Sequence, residues 1–269
     1  MDASVQYPTL VLAGRRNAND PVAEERGVSH KALADVGGRP MIMNVLNALT
    51  RSPWSGDVYI SIEDVSALEK IESLRQSIDI RHVRSSAGSI CRSIREMVDE
   101  AGLRPPFLVV TADHALLTPE MLDHFWRAAK RALQDEGTDL ALAMVSERAF
   151  RLVYPTAKRT FIRCREDRYS SCNMYAFLTE ESLKVLDFWI NIERERKTPW
   201  RLARAFGFGT LLGYLLRRYD LDGMIARAGR VVGIRAKAVK MPYPEAAIDV
   251  DTVNDLILAE DILARRVNA

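Results

Sequence analysis

Four short apolar runs, at positions 9–13, 58–62, 107–111 and 140–145, recur along the chain with longer amphipathic stretches between them. Each run is about one strand long and lacks a polar face, as expected of a strand covered on both sides. The stretches at 40–49, 89–101 and 119–133 instead place apolar residues at helical spacing. Strands alternating with helices in this way predict an α/β fold, with a mostly parallel central sheet and helices on both faces. A weaker strand candidate at 80–83 precedes a serine-rich loop.

Helix boundaries are chemically legible. Pro40 and Pro119 suit first helical positions, where the missing amide hydrogen costs nothing, and Thr118 is placed to cap the second. Beyond residue 148 the pattern changes. It predicts strands at 159–166 and 175–178, a helix at 180–196, an apolar helical stretch at 200–219, a strand at 231–241 and an amphipathic helix at 252–265. No internal repeat or low-complexity linker interrupts the chain. With 269 residues, 48% of them hydrophobic, one sizeable core is expected: a single domain over 1–269 with a helical excursion at about 180–230.

The 38 basic and 36 acidic side chains leave a net charge of +2, which excludes a whole-molecule field of the kind that draws in nucleic acid or an anionic membrane. Cys91, Cys164 and Cys172 lack C-x-x-C spacing, so neither a disulfide framework nor a zinc site is indicated and a reducing cytoplasm is the expected compartment. Apolar runs fall well short of the roughly 20 residues that span a bilayer, and no secretory leader pattern opens the sequence. No transmembrane segment is expected.

The first apolar run ends Leu12-Ala13-Gly14 and is followed by Arg15 and Arg16, a polar stretch, and then Lys31-Ala32-Leu33. A glycine there lets backbone amides approach phosphate oxygens, and the three cationic side chains can neutralise several negative charges. The P-loop and dinucleotide glycine spacings are both absent, and an ordinary turn with solvated arginines fits the same residues. The third run delivers Asp113 at its carboxyl end, where open α/β sheets bind ligands. Asp113 is either a magnesium ligand or the cap of the next turn. Asp249 and Asp251 project to one side of an extended segment, so both can approach one cation. Asp251 alternatively caps the final helix. His30 and His114 lie beside these candidates in sequence.

In this order, Leu12-Ala13-Gly14, Lys31-Ala32-Leu33, Gly38-Arg39-Pro40, Thr111-Ala112-Asp113 and Asp249-Val250-Asp251-Thr252 resemble the MobA-like nucleotidyltransferases. The resemblance implies a Rossmann-like GT-A fold and a Mg²⁺-dependent transfer of an NMP, CMP or GMP, from an NTP to a small phosphorylated acceptor, with release of pyrophosphate. It implies that Leu12, Ala13, Gly14, Arg15, Arg16 and Lys31 grip the triphosphate, Arg16 and Lys31 stabilising the departing pyrophosphate. Ser85, Ser86, Gly88 and Ser89 then surround the base, and Asp113 and Asp251 hold the metal with Asp249 as the substitute ligand. Arg159, Arg163 and Asn173 fall on the acceptor side. Two departures stand out: the family's usual second glycine is replaced by Arg15, and residues 17–30 lengthen the loop. The apolar stretch at 206–216 would suit a lipid-like acceptor, and nothing in the sequence sets an oligomeric state. Two other functions fit the same features: a nucleotide-binding regulatory protein without turnover, and a GT-A glycosyltransferase holding its metal through Asp249 and Asp251.

Overall fold

The computed structural model describes residues 5–14, 20–69, 83–84, 86, 88–194, 213 and 216–267. The expected features at Arg15, Arg16, Ser85, residues 80–82 and residues 200–212 lie outside these. In chain order the elements begin β1 (Tyr7–Leu12), α1 (Pro21–Glu25), α2 (Met41–Thr50), β2 (Ser55–Ser61), α3 (Val65–Glu69), β3 (Val83–Arg84), α4 (Ile90–Glu100) and β4 (Phe107–Thr111). They continue α5 (Pro119–Glu136), β5 (Leu140–Ser146), α6 (Glu147–Val153), β6 (Ile162–Arg163), β7 (Arg168–Phe177), α7 (Lys184–Arg194), α8 (Leu221–Val232), β8 (Ala236–Lys240) and α9 (Val253–Val267). The fold is α/β with a mostly parallel sheet. Two compact units divide it: Met1–His124 with Ile248–Ala269, and Phe125–Ala247.

In the first unit the strand order is β3-β2-β1-β4, all parallel. Three of the four apolar runs read from sequence are its β1, β2 and β4, and Leu10, Val11, Val109 and Val110 are fully buried, as two-sided coverage demands. Ile42 and Leu49 of α2 and Met97 of α4 are equally buried. The chain runs outward from β1 to β2 and β3, then returns to β4 on the other side of β1. That reversal makes the carboxyl ends of β1 and β4 a topological switch point, the place where such sheets form a crevice.

The second unit pairs β5 antiparallel with β7 and parallel with β8, with β6 on the outer side of β7. Cys164 and Cys172 are buried and form no disulfide, and burial pushes the Cys164 thiol up to about 11, well away from thiolate chemistry. The strand expected at 231–241 is shorter than its apolar pattern suggested. Residues 221–232 are helical, capped by Asp220, which accepts a bond of 2.9 Å from the Gly223 amide, and ended by Gly233 in the left-handed region at φ +82°. Val231 and Val232 close that helix although their β-branched side chains mimic a strand. The strand expected at 159–166 is reduced to Ile162–Arg163, while the one expected at 175–178 begins at Arg168.

α9 opens with a reciprocal cap. The Thr252 amide and hydroxyl donate to the Asp255 carboxylate at 3.0 and 2.7 Å, and the Asp255 amide donates to the Thr252 hydroxyl at 3.3 Å. Thr252→Ala should therefore lower the unfolding free energy by about 1 kcal/mol in urea titrations, with little change in the denaturant slope.

Candidate active site

Strand register explains how four distant residues reach one level. Leu12 is aligned with Ser61 on β2 and with Thr111 on β4, and Ser61 is aligned with Arg84 on β3. Two residues beyond each of these positions stand Gly14, Glu63, Ser86 and Asp113, all at the carboxyl edge of one parallel sheet. Backbone bonds carry the alignment past the strand ends: Ala13 N–H donates to Ser61 at 2.8 Å, Ala112 N–H to Leu12 at 2.9 Å, and Ser86 N–H to Ile62 at 3.0 Å.

A side chain at Gly14 would crowd its neighbours. A Cβ there would stand 2.8 Å from the Ser86 hydroxyl and 3.3 Å from the Glu63 carboxylate. Ser86 in turn lies 3.3 Å from the Ser93 hydroxyl on α4, whose amino end is capped by Ser89. Gly88, before that cap, has φ +77°, a conformation that favours glycine.

The charged centre lies at the switch point. Lys31 Nζ donates to Asp113 Oδ2 at 2.9 Å and to Asp251 Oδ1 at 2.6 Å. Asp113 is held from its other oxygen by the Thr111 hydroxyl, and its carbonyl accepts a bond of 3.0 Å from the Val250 amide. That last bond ties the segment carrying Asp251 to the end of β4. Ile248 and Val250 are fully buried, so the extended segment turns its alternate carboxylates outward, as period-two spacing requires. The carboxylate that reaches Lys31 belongs to Asp251, and the cap of α9 is made by Thr252 instead.

Lys31 is presented by a short 3₁₀ turn, Lys31–Leu33. The following Gly37-Gly38-Arg39-Pro40 segment supports that turn from below. Gly37 and Gly38 adopt φ +70° and +84°, Asp35 accepts from the Gly38 amide at 3.0 Å, and a Cβ on Gly37 would stand 2.9 Å from Leu263 of α9. This stretch packs the loop onto α9. His30 and His114 are 2% and 1% exposed and belong to the packing around the loop.

Burial by itself would draw the Lys31 ammonium down, but Asp113 and Asp251 outweigh it and hold it above the ordinary lysine range. Lys31 is thus charged throughout the neutral range.

In the second unit, Asn173 sits where pairing between β5 and β7 is interrupted between Leu142 and Met144, with φ 51°. Bulges and left-handed non-glycine residues of this kind gather at functional positions. Arg163 lies on β6 and lines a shallow cleft of about 330 Å³ with Glu147, Arg168 and Arg217, which Asn173 does not line. Arg159 is half-buried beyond α6.

Sequence reasoning missed Glu63 and the orienting role of Thr111. Glu63 follows β2 by the same two residues as Asp113 follows β4, but this equivalence requires the strand order. Thr111 was visible in sequence, since a hydroxyl two residues before a carboxylate on an extended chain shares its side.

A sequence model of the MobA-like NTP transferase domain matches residues 10–178. The chain belongs to this family. Asp251 and the α8 region lie beyond the matched residues. Among solved structures, a hypothetical transferase from Thermus thermophilus is 29% identical over 94% of this chain and 100% of its own, with a TM-score of 0.74. Two more distant structures share the fold. A CMP:2-keto-3-deoxy-manno-octonic acid synthetase complexed with CTP is 13% identical over 97% of this chain and 99% of its own, at a TM-score of 0.57. A 4-diphosphocytidyl-2C-methyl-D-erythritol synthase from Anaerococcus prevotii is 12% identical over 97% of both chains, at 0.55. No curated protein gives a match. This member of the MobA-like family has no helix, among its described residues, long and apolar enough to cross a membrane.

A lysine whose folded value is raised contributes stability that is complete below the ordinary lysine range and is lost as pH rises through the raised value. Lys31→Met should cost about 2–3 kcal/mol of unfolding free energy near neutral pH, the range of charged hydrogen bonds. The gap between the variant and the parent should stay constant through the neutral range and narrow only in strongly alkaline buffer.

Proposed function

We propose that this MobA-like transferase moves an NMP, CMP or GMP, from an NTP to a small phosphorylated acceptor and releases pyrophosphate. The observation that supports it most directly is the meeting of Lys31, Asp113 and Asp251 at the switch point of a parallel sheet whose first strand ends at Gly14. A phosphate oxygen of the acceptor attacks the α-phosphorus, and the bond to the bridging oxygen of the departing pyrophosphate breaks with its electron pair. No covalent protein intermediate is needed, because orientation and charge neutralisation supply most of the rate.

Two carboxylates that converge on one cation suit magnesium, which takes hard oxygen ligands and completes its shell with phosphates and water. Asp113 and Asp251 would hold the ion, which when bound would neutralise phosphate charge and stabilise the leaving pyrophosphate. Among the described residues no group of three metal-binding side chains exists, so substrate oxygens would be required to finish the site. Thr111 keeps Asp113 pointed at the centre. Lys31 can turn from the carboxylates towards the triphosphate, joined by Arg15 and Arg16, while Gly14 lets the phosphates approach the backbone. Ser86, Gly88 and Ser89, with Ser85, would flank the base. Asn173, Arg159 and Arg163 would take the acceptor, whose side the bulge at Asn173 supports. A reducing cytoplasm suits the three free cysteines.

The test mixes the protein with Mg²⁺, each common NTP and a panel of sugar, polyol, lipid and pterin phosphates, and measures pyrophosphate. Release with one NTP and one acceptor is expected, and nucleotide binding with no release from any pair would overturn the reading. Asp113→Asn should cut turnover by about two to three orders of magnitude while thermal unfolding stays cooperative. An unchanged rate would remove Asp113 from the site.

A further inference from the structure

Within the second unit, Arg218, Arg227, Arg230 and Arg235 line one cleft of about 430 Å³, a size typical of small-ligand sites. The sequence brings them together simply. Arg227 and Arg230 are three residues apart on α8 and share a face of that helix. Arg218 precedes its amino end, and the left-handed Gly233 turns the chain so that Arg235 comes back to the same cleft.

Four guanidinium groups around one small volume repel one another, and an ordinary surface relieves such repulsion with carboxylates. Here the two carboxylates of the cleft are engaged with cations other than these four. Glu136 accepts Lys237 at 3.0 Å through both oxygens, and Asp220 accepts Arg165 at 2.9 Å while its other oxygen caps Gly223. Among the described residues, none of the four guanidinium groups pairs with an acidic side chain. Arg227 is held in place by the Tyr219 ring, with its guanidinium carbon 4.3 Å from the ring centroid. The Arg235 guanidinium donates to the Glu136 carbonyl at 3.3 Å. Beside Thr138 and the Tyr219 ring, the rest of the wall is made of Gly223 and the apolar Ala226, Ile234 and Ala236.

We propose that this cleft binds a small molecule bearing two phosphate groups. Planar guanidinium forks match phosphate oxygens two at a time, so four of them suit a diphosphate or bisphosphate better than a single carboxylate. The apolar wall accommodates the carbon skeleton that carries the phosphates. A net charge of only +2 for the whole chain and the small size of the cleft argue for a compact anion, not a nucleic-acid strand. The assignment shares no residue with the Lys31 site and does not depend on the activity proposed for it.

The experiment is equilibrium dialysis of the full chain against radiolabelled inorganic pyrophosphate without divalent metal, in parallel on the parent, Arg218→Ala/Arg230→Ala, Arg227→Lys and Lys31→Met. Arg218 and Arg230 are exposed, so their truncation leaves the fold intact. The parent and Lys31→Met should both retain a class of binding that weakens with salt, and Arg218→Ala/Arg230→Ala should lose it by at least about tenfold. Arg227→Lys keeps the charge but not the fork, and should give an intermediate loss. A lipid source of the same chemistry is covered by flotation on phosphatidylcholine vesicles with and without cardiolipin, where cardiolipin-dependent capture lost in the double arginine variant also supports the site. Identical pyrophosphate binding in the parent and the double variant, with no cardiolipin-dependent capture, overturns the proposal. Loss of all pyrophosphate binding in Lys31→Met alone overturns it as well.

Discussion

One ammonium group between two carboxylates organises the first unit. Asp113 ends a strand, Asp251 ends a long excursion of the chain, and Lys31 lies in the loop after β1, so three separate stretches converge on one charge. Without the lysine, the largely buried carboxylate of Asp113 and the exposed one of Asp251 would repel each other with no cation between them. With it, the loop between β1 and α2 gains a fixed point, and the segment before α9 gains another through the Val250 amide. The support beneath is correspondingly stiff, with the glycine turn at 37 and 38 seated against α9 and the reciprocal cap of Thr252 and Asp255 starting that helix.

Much of this was legible in sequence, and for a definite reason. Runs such as 107–111 are apolar on both sides because buried parallel strands leave no polar face, so their positions survive without knowledge of their partners. Gly14, Asp113 and Asp251 were likewise picked out in sequence, because a glycine or a carboxylate just past a strand and paired carboxylates in an extended segment carry physical meaning on their own. What the sequence withheld depends on neighbours. Glu63 becomes a crevice residue only once β2 is known to lie beside β1, and Arg227 and Arg230 become part of a cleft only once Gly233 turns the chain back. The helix at 221–232 falls largely within the expected helical excursion, but its closing valines were read as the start of the next strand, although Gly233 marked the helix end in plain view.

The two units also divide their chemistry. The first gathers its polar residues at a sheet edge by register, so each position follows from strand alignment and the site inherits the rigidity of the backbone ladder. The second relies on local departures from regularity, namely a pairing interruption at Asn173 and a reversal at Gly233. Features of that second kind tolerate sequence change more readily, because a bulge or a turn can shift without moving a whole sheet.

The partners Lys31 and Asp251 are separated by 220 positions, with the entire second unit between them. A ribosome therefore emits the lysine before Asp113, and finishes every residue of the second unit before the other carboxylate exists. A partly made or truncated chain can carry the strands of the first sheet and one acidic residue, but never the assembled charge triad. The layout ties assembly of the charge triad to synthesis of the second unit, so that a product stopped before Asp251 lacks the triad by construction.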